Sequence, residues 1–221
     1  MGRTMVIDIG LCIVIGSPTA QAQSKKSAKQ TSSLEKAGEA SKAAVQDVLT
    51  SLGSLLTGYN AIINGEVKDN QKAYKKLVGD LKTTQKKIDG SKKQLAALGK
   101  EADKFFKAWE QDLASISSDS LREKSAGRMK VAQQKYASLG ETLAAAGQEF
   151  APVIQDLNDQ ILYLGRDLSP EAIADLEDEA AELNEKAETT TAKVKDMLAN
   201  AGKTQDAADA ELDAETAAED E

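Results

Sequence analysis

The sequence predicts an all-α protein: an elongated antiparallel helical bundle, or coiled coil, of about four helices with a long central hairpin. Three observations predict it. Apolar residues recur at alternating steps of three and four along four stretches of the chain, which places them on one face of a coiled-coil helix. Only three prolines and 4% aromatic residues occur in 221 residues, a composition typical of long helices. The connections between the four stretches are short, which favours antiparallel neighbours.

The first predicted helix ends at Asn64-Gly65, where the glycine suits a C-terminal cap. Its pattern extends weakly backwards through Ser41 and Leu34. The main apolar positions step by three and four, and they are Val45, Val48, Leu52, Leu55, Tyr59 and Ile62.

The second predicted helix is the longest, near 50 residues or about 75 Å at 1.5 Å per residue. Gly90 could bend it. Fifteen positions step by four and three from Val67 to Ile116, and eleven of them are apolar. The four that are not apolar are Gln71, Gln85, Lys92 and Gly99. The apolar ones between the two ends are Tyr74, Val78, Leu81, Ile88, Leu95, Ala102, Phe106, Trp109 and Leu113.

The third predicted helix begins at the capping box Ser120-Leu121-Arg122-Glu123, in which serine and glutamate satisfy free backbone amides. Pro152 removes one backbone hydrogen bond and should kink the helix. Two successive steps of four after Val153 should locally unwind the supercoil. The apolar positions are Met129, Ala132, Tyr136, Leu139, Leu143, Ala146, Phe150, Val153, Leu157, Ile161 and Leu164.

The fourth predicted helix begins at Ser169-Pro170-Glu171, which combines an N-cap residue, a proline at the first helical position and an acid in the first turn. Its apolar face steps by three and four, and it comprises Ile173, Leu176, Ala180, Leu183, Ala187, Thr190, Val194, Met197 and Ala201. Eight acids and no base follow from Thr204 to Glu221, so we expect a mobile acidic tail.

The N-terminus has the layout of a secretory signal peptide. Arg3 precedes a short apolar run over residues 5–16, and Ala20 and Ala22 form a small-x-small cleavage site before Gln23. The run is too short to span a bilayer, which needs about 20 apolar residues. We therefore expect export to the periplasm, or more generally to the cell envelope.

These features divide the chain into four parts. We predict a signal peptide over 1–22, a disordered polar segment over 23–31, the helical bundle domain over 32–201 and the acidic disordered tail over 202–221.

The residue types present narrow the chemistry. The chain has no histidine, and its single cysteine, Cys12, lies in the predicted signal peptide. Imidazole-based catalysis and the usual zinc ligand sets are thereby excluded, and no phosphate loop or nucleophile elbow occurs. We expect no catalytic residue, no cofactor and no metal, and therefore no enzyme.

Charge separates the second and fourth predicted helices. Twelve lysines and five acids lie between Lys68 and Lys107, whereas nine acids and three lysines lie between Glu171 and Asp196. One interpretation is that the two helices attract each other and so set their pairing. The other is that the basic helix offers a face to an anionic polymer or lipid head group. The candidate residues for that face are Lys86, Lys87, Lys92 and Lys93.

Two further patches are candidate interaction sites. Phe105 and Trp109 lie near the end of the second helix, where they either fill the core or anchor a partner. Arg166 and Asp167 lie in the turn that follows the proline and the irregular steps of the third helix, and such irregularities can mark function.

A third stretch, Val48 to Gly65, carries no charge. A membrane-inserting hairpin would use such a stretch, but its one-sided periodicity favours a buried helix.

Several short segments resemble an uncharacterised bacterial envelope family, domain-of-unknown-function family 2959, over about residues 34–201. They are Phe105-Phe106-x-x-Trp109-Glu110, Leu121-Arg122, Tyr136, Pro152-Val153-Ile154, Asp159-Gln160-Ile161-Leu162-Tyr163-Leu164, Leu168 and Ala172-Ile173. The resemblance implies an exported helical protein without an assigned activity, and it supplies no active site.

Together these patterns predict a non-enzymatic, periplasmic scaffold or adaptor that binds an envelope protein, or itself, along its helical faces. The alternative is a module that binds an anionic envelope polymer or lipid head group weakly through the second helix. A minor alternative is a membrane-active helical protein. We expect no nucleic-acid partner and no stable membrane span.

Overall fold

A computed structural model describes the backbone of residues 18–217, and the side chains of residues 30–201 and of Lys203. Over that backbone the chain forms helices and no strand, as predicted. The helices are α1 (Pro18–Ile63), α2 (Asn70–Ala114), α3 (Asp119–Leu164), α4 (Pro170–Ala174) and α5 (Glu177–Ala217).

The predicted apolar face of α1 is confirmed. All six main positions are buried, and so are Leu34 and Ser41 at the weaker start of the pattern. Gly65 ends the helix with a φ of 67°, and the Glu66 N–H reaches back to the Ala61 carbonyl at 3.0 Å. The glycine is therefore the predicted cap, because this backbone conformation favours a residue without a Cβ. The uncharged stretch that begins at Val48 supplies much of the bundle core.

α2 is continuous through Gly90, but five of the fifteen positions predicted on its packed face are exposed. They are Gln71, Val78, Gln85, Lys92 and Gly99. Val78 is 40% exposed. The residue just before Val78, Gln85, Lys92 and Gly99 is buried in each case, and these buried residues are Leu77, Thr84, Ser91 and Leu98. The Thr84 hydroxyl is 2.9 Å from that of Ser51 on α1, and the Ser91 hydroxyl donates to its own helix. Because their hydroxyls form hydrogen bonds within or next to their own helix, these small polar residues can be buried in the helix interface.

α3 begins two residues earlier than predicted. The N-cap is Ser118, whose side chain accepts a hydrogen bond from the Leu121 N–H. Pro152 lies inside the helix, which continues to Leu164. The predicted apolar face is confirmed from Leu139 onwards, including the two successive steps of four after Val153, since every one of these positions is buried.

The fourth predicted helix consists of two helices. Ser169 caps α4 and Pro170 occupies its first turn, as predicted. The helix is interrupted at Asp175 and Leu176, and α5 then continues the same apolar face. All the predicted positions of that face are buried except Met197, which is partly buried.

The helices form an up-down-up-down bundle in which α2 and α3 make the predicted long hairpin. α1, α2 and α3 have 46, 45 and 46 residues. The most extensive packing joins α1 to α2, and then α3 to α5 and α2 to α3. α1 also contacts α3 and α5, whereas α2 and α5 make at most marginal contact. α2 and α5 therefore lie on opposite edges of the bundle.

A polar layer crosses the bundle near the C-terminal end of α1. The fully buried Tyr59 donates its hydroxyl proton to the side-chain carbonyl of Gln160 on α3. The Gln160 amide in turn donates to the Glu179 carbonyl at 3.2 Å. Burial raises the pKa of the Tyr59 phenol well above its usual value, and the Glu179 carboxylate adds to the rise. These contacts fix the relative heights of α1, α3 and α5.

The described helices extend beyond the predicted bundle domain at both ends. Residues 23–31, predicted to be disordered, continue α1, and residues 202–217 of the predicted tail continue α5. Residues 23–31 contain three Lys and two Gln, and residues 202–217 contain five Ala and two Glu. These are good helix formers, and adding them to an existing helix avoids the cost of nucleation. Most of the predicted signal peptide, residues 1–17, lies outside the described residues, as do 218–221 and the side chains of Ala20, Ala22 and Gln23.

Candidate functional site: a groove between α2 and α3

α2 and α3 stand apart along the middle of their hairpin and leave an open groove of about 770 Å³. Its floor includes Ser41 and Val45 of α1, and its α2 wall includes Ile88 and Leu95. Polar side chains surround these apolar groups, and they are Gln85, Asp89, Lys92, Gln148, Gln155 and Asn158. An apolar floor with a polar rim is the usual composition of a protein binding surface.

The α3 wall of the groove carries a row of small residues. They step by three, four, three and four, and they are Ala137, Gly140, Ala144, Gly147 and Ala151. A Cβ built on Gly140 or Gly147 would meet no atom within 4 Å. Because small side chains let another helix backbone approach closely, this wall offers space that no described group of the bundle fills.

A second cavity of about 730 Å³ adjoins the first and shares Leu95 with it. It lies towards the turn of the hairpin, and its lining includes Phe106, Lys107 and Tyr136. The two cavities together extend from Gln85 to Glu110 on α2, which is about 38 Å at 1.5 Å per residue.

Three α2 residues that were predicted on the packed face line the groove instead. Gln85, Lys92 and Gly99, which the sequence predicts on the packed face, line the groove together with Ile88 and Leu95. α2 thus carries two adjacent faces with a seven-residue repeat. One is buried in the bundle, and the other forms a wall of the groove.

The structure separates the four candidate lysines. Lys86 and Lys93 are exposed, and Lys92 lines the groove. Lys87 is partly buried, and its amine lies 3.5 Å from the Asp47 carbonyl of α1. The prediction that α2 and α5 pair through opposite charge is wrong, because no ion pair joins these helices among the side chains that the structure describes. The two helices lie on opposite edges of the bundle, too far apart for such pairs.

The candidate aromatic residues pack between α2 and α3. Phe105 contacts Phe106 and Trp109 edge to face, with ring centroids 5.2 and 5.6 Å apart. The Trp109 indole N–H donates to the hydroxyl of the buried Ser125 on α3 at 3.0 Å. Trp109 thereby joins the two arms of the hairpin, which supports the core-filling interpretation of this cluster.

Asp167, in the turn after α3, has a local structural role. Its carboxylate accepts a hydrogen bond from the Ser169 N–H at 2.8 Å, which is an Asx turn. The side chain of Arg166 is exposed. Nearby, the Tyr163 hydroxyl donates to Asp175 at 2.9 Å, and this hydrogen bond is the main reason that the pKa of Tyr163 is raised. The turn therefore closes on itself and does not reach the groove lining.

The described part of the chain holds no group of three or more Cys, Asp or Glu side chains placed to bind a metal ion. Across the same part, no helix has both the length and the apolar character needed to cross a membrane.

These observations define a class of protein: an antiparallel helical bundle with an open groove along its hairpin. The chain belongs to the family described as protein of unknown function DUF2959, whose pattern matches residues 21–206. Searches of curated proteins and of solved structures gave no match.

Proposed function

We propose that this protein is a non-enzymatic scaffold of the cell envelope that binds a helix of a partner protein in the groove between α2 and α3. The observation that carries the proposal is the groove itself, which is apolar at its floor, polar at its rim and about 38 Å long by the rise of α2. Amphipathic helices bind in grooves of this kind through apolar residues spaced three and four apart.

The small residues on α3 favour a helix over a small molecule. Ala144, Gly147 and Ala151 repeat at the spacing of helical contacts, so a partner helix could pack against them at close range. The groove is open to solvent along its length, whereas small-molecule sites enclose most of their ligand.

Photo-crosslinking in cells tests this proposal. A photoreactive amino acid replaces Gln155 on the groove rim, and a matched control replaces Gln46, which is exposed on α1 and does not line the groove. We expect one discrete adduct from position 155 and none from position 46. Equal labelling from the two positions, or none from either, would contradict a groove-specific partner.

Export is part of the same proposal and has its own test. The small-x-small site at Ala20 and Ala22 supports processing before Gln23. Mass spectrometry of the protein from fractionated cells should find a periplasmic form that begins at Gln23. An unprocessed protein in the cytosolic fraction would exclude export.

A further inference from the structure

α2 carries a row of exposed lysines beside the groove. The row has steps of seven, four, seven, seven and seven, and it comprises Lys75, Lys82, Lys86, Lys93, Lys100 and Lys107. Residues seven apart lie nearly above one another on a helix, so this row is almost straight. It extends about 48 Å at 1.5 Å per residue.

Ion pairs with the side chains that the structure describes do not neutralise these six lysines. Among the described residues, the α2 lysines in ion pairs are Lys76, with Asp80, and Lys104, with Glu101. None of the six forms an ion pair with a described residue. Three acids of α2, Asp89, Asp103 and Glu110, lie three residues after a lysine of the row. Six lysines against three acids leave the row positive.

The acidic edge of the bundle lies on the other side. Lys186 and Lys193 of α5 pair with Asp156 and Glu149 of α3. Because these two lysines pair with α3, they do not pair with the exposed acids of α5. Among the described side chains those acids are Glu177, Asp178, Glu179, Glu182, Glu185, Glu188 and Asp196. Since α2 and α5 lie on opposite edges, the molecule has a positive edge and a negative edge across its width.

We propose that the lysine row binds the surface of a bilayer that contains anionic lipids. A straight row on one rigid helix presents its charges in one plane, as a flat surface requires. The acidic edge of α5 then faces away from the lipid, because the same negative potential repels it, and so sets one orientation. The inference does not depend on the partner-binding proposal, because the row projects outside the groove lining except at Lys107.

Vesicle sedimentation tests the inference with the purified protein. The test variant carries Lys86→Gln, Lys93→Gln and Lys100→Gln. The matched control carries Lys36→Gln, Lys195→Gln and Lys203→Gln, which make the same change in net charge at exposed positions on α1 and α5. Each lysine near an anionic surface contributes about fivefold to binding. The test variant should therefore bind vesicles containing one-third phosphatidylglycerol about 100-fold more weakly, and the control variant should bind like the wild type.

Salt dependence provides a second measurement that needs no substitution. Raising NaCl from about 0.1 to about 1 M shortens the Debye length from about 10 to about 3 Å, which should release the protein from the vesicles. Equal weakening of both triple variants would overturn the proposed row. Equal binding to pure phosphatidylcholine vesicles, or binding to soluble polyphosphate but not to vesicles, would overturn the lipid surface as the partner.

Discussion

Asn60 on α1 and Asn184 on α5 face each other and exchange two side-chain hydrogen bonds, at 2.9 and 3.0 Å. Each carboxamide acts as both donor and acceptor, and both side chains are half-buried. A paired asparagine within a helical interface favours one register, because any shift leaves both amides without a partner. Together with Tyr59 and Gln160, this pair aligns the helices that form the floor and one wall of the groove.

A double-mutant cycle on this pair should reveal coupling. Asn60→Ala and Asn184→Ala should each lower the free energy of unfolding by about 1–2 kcal/mol, because each leaves a partly buried carboxamide unpaired. The loss of unfolding free energy in the double variant should be smaller than the sum of the two single losses by about 1 kcal/mol. Denaturant titration measures all three values. The control combines Asn60→Ala with Asn158→Ala, since Asn158 lies in the groove, and here the two losses of unfolding free energy should add. Additive losses for Asn60→Ala and Asn184→Ala would disprove the coupling.

Tyr59→Phe should also destabilise the bundle. The substitution removes the donor to Gln160 and leaves the partly buried Gln160 side-chain carbonyl without this partner, at a cost of about 1–2 kcal/mol. Tyr163→Phe is the comparison, since it removes the hydrogen bond to Asp175 at an exposed site and should cost less. Chemical denaturation distinguishes the two, and a larger loss at Tyr163 would show that the Tyr59 contact contributes little.

The Tyr59 phenol should make stability depend on pH in the alkaline range. Its pKa is raised above the usual value of 10.0 by burial and by Glu179, so above pH 10 the folded state holds a proton that the unfolded state has lost. This contribution is complete below pH 10 and declines as the pH rises, by up to about 1.4 kcal/mol per pH unit. The slope of unfolding free energy against pH should therefore be shallower in Tyr59→Phe. Identical slopes would show that the phenol ionises equally in both states.

The side chain of Tyr74 limits the space at Gly165, whereas the backbone angles of Gly165 would accept any residue. A Cβ at this position would clash with the Tyr74 hydroxyl oxygen, although φ is −66°. Gly165→Ala should therefore lower the melting temperature, and adding Tyr74→Phe should recover part of the loss. Gly79→Ala, where the same Cβ meets nothing within 4 Å, should instead stabilise the protein by about 0.5–1 kcal/mol. If Gly165→Ala stabilised the protein as Gly79→Ala does, Tyr74 would not limit the space at residue 165.

Much of the fold follows from apolar spacing alone. The faces of α1 and α5 were predictable because their positions recur at regular steps of three and four, and all of them except Thr190 of α5 carry apolar or aromatic side chains. The α2 face was predictable at ten of its fifteen positions, and the other five are exposed. Thr84 and Ser91 are buried through local hydrogen bonds, and hydrophobicity does not distinguish them from surface residues.

The groove was less predictable than the helices. The signal for it was present in the regular spacing of Ala144, Gly147 and Ala151, but small residues in a row also occur where helices pack tightly. Whether α2 approaches that row depends on the position of α1 beneath both helices, which no local pattern specifies. In the same way, the sequence shows that α2 is basic and α5 is acidic. It does not show that the two helices lie on opposite edges, because that depends on how the whole bundle packs.

Filling the groove shows whether a partner helix binds there. Gly147→Leu places a side chain in space where the described bundle has no atom, and Gly53→Leu makes the same helix-favouring change at an exposed site on α1. Both variants should fold with at least wild-type stability. The adduct formed from the photoreactive residue at position 155 should disappear in Gly147→Leu and persist in Gly53→Leu. Undiminished adduct formation in a folded Gly147→Leu protein would contradict binding of a partner helix in the groove.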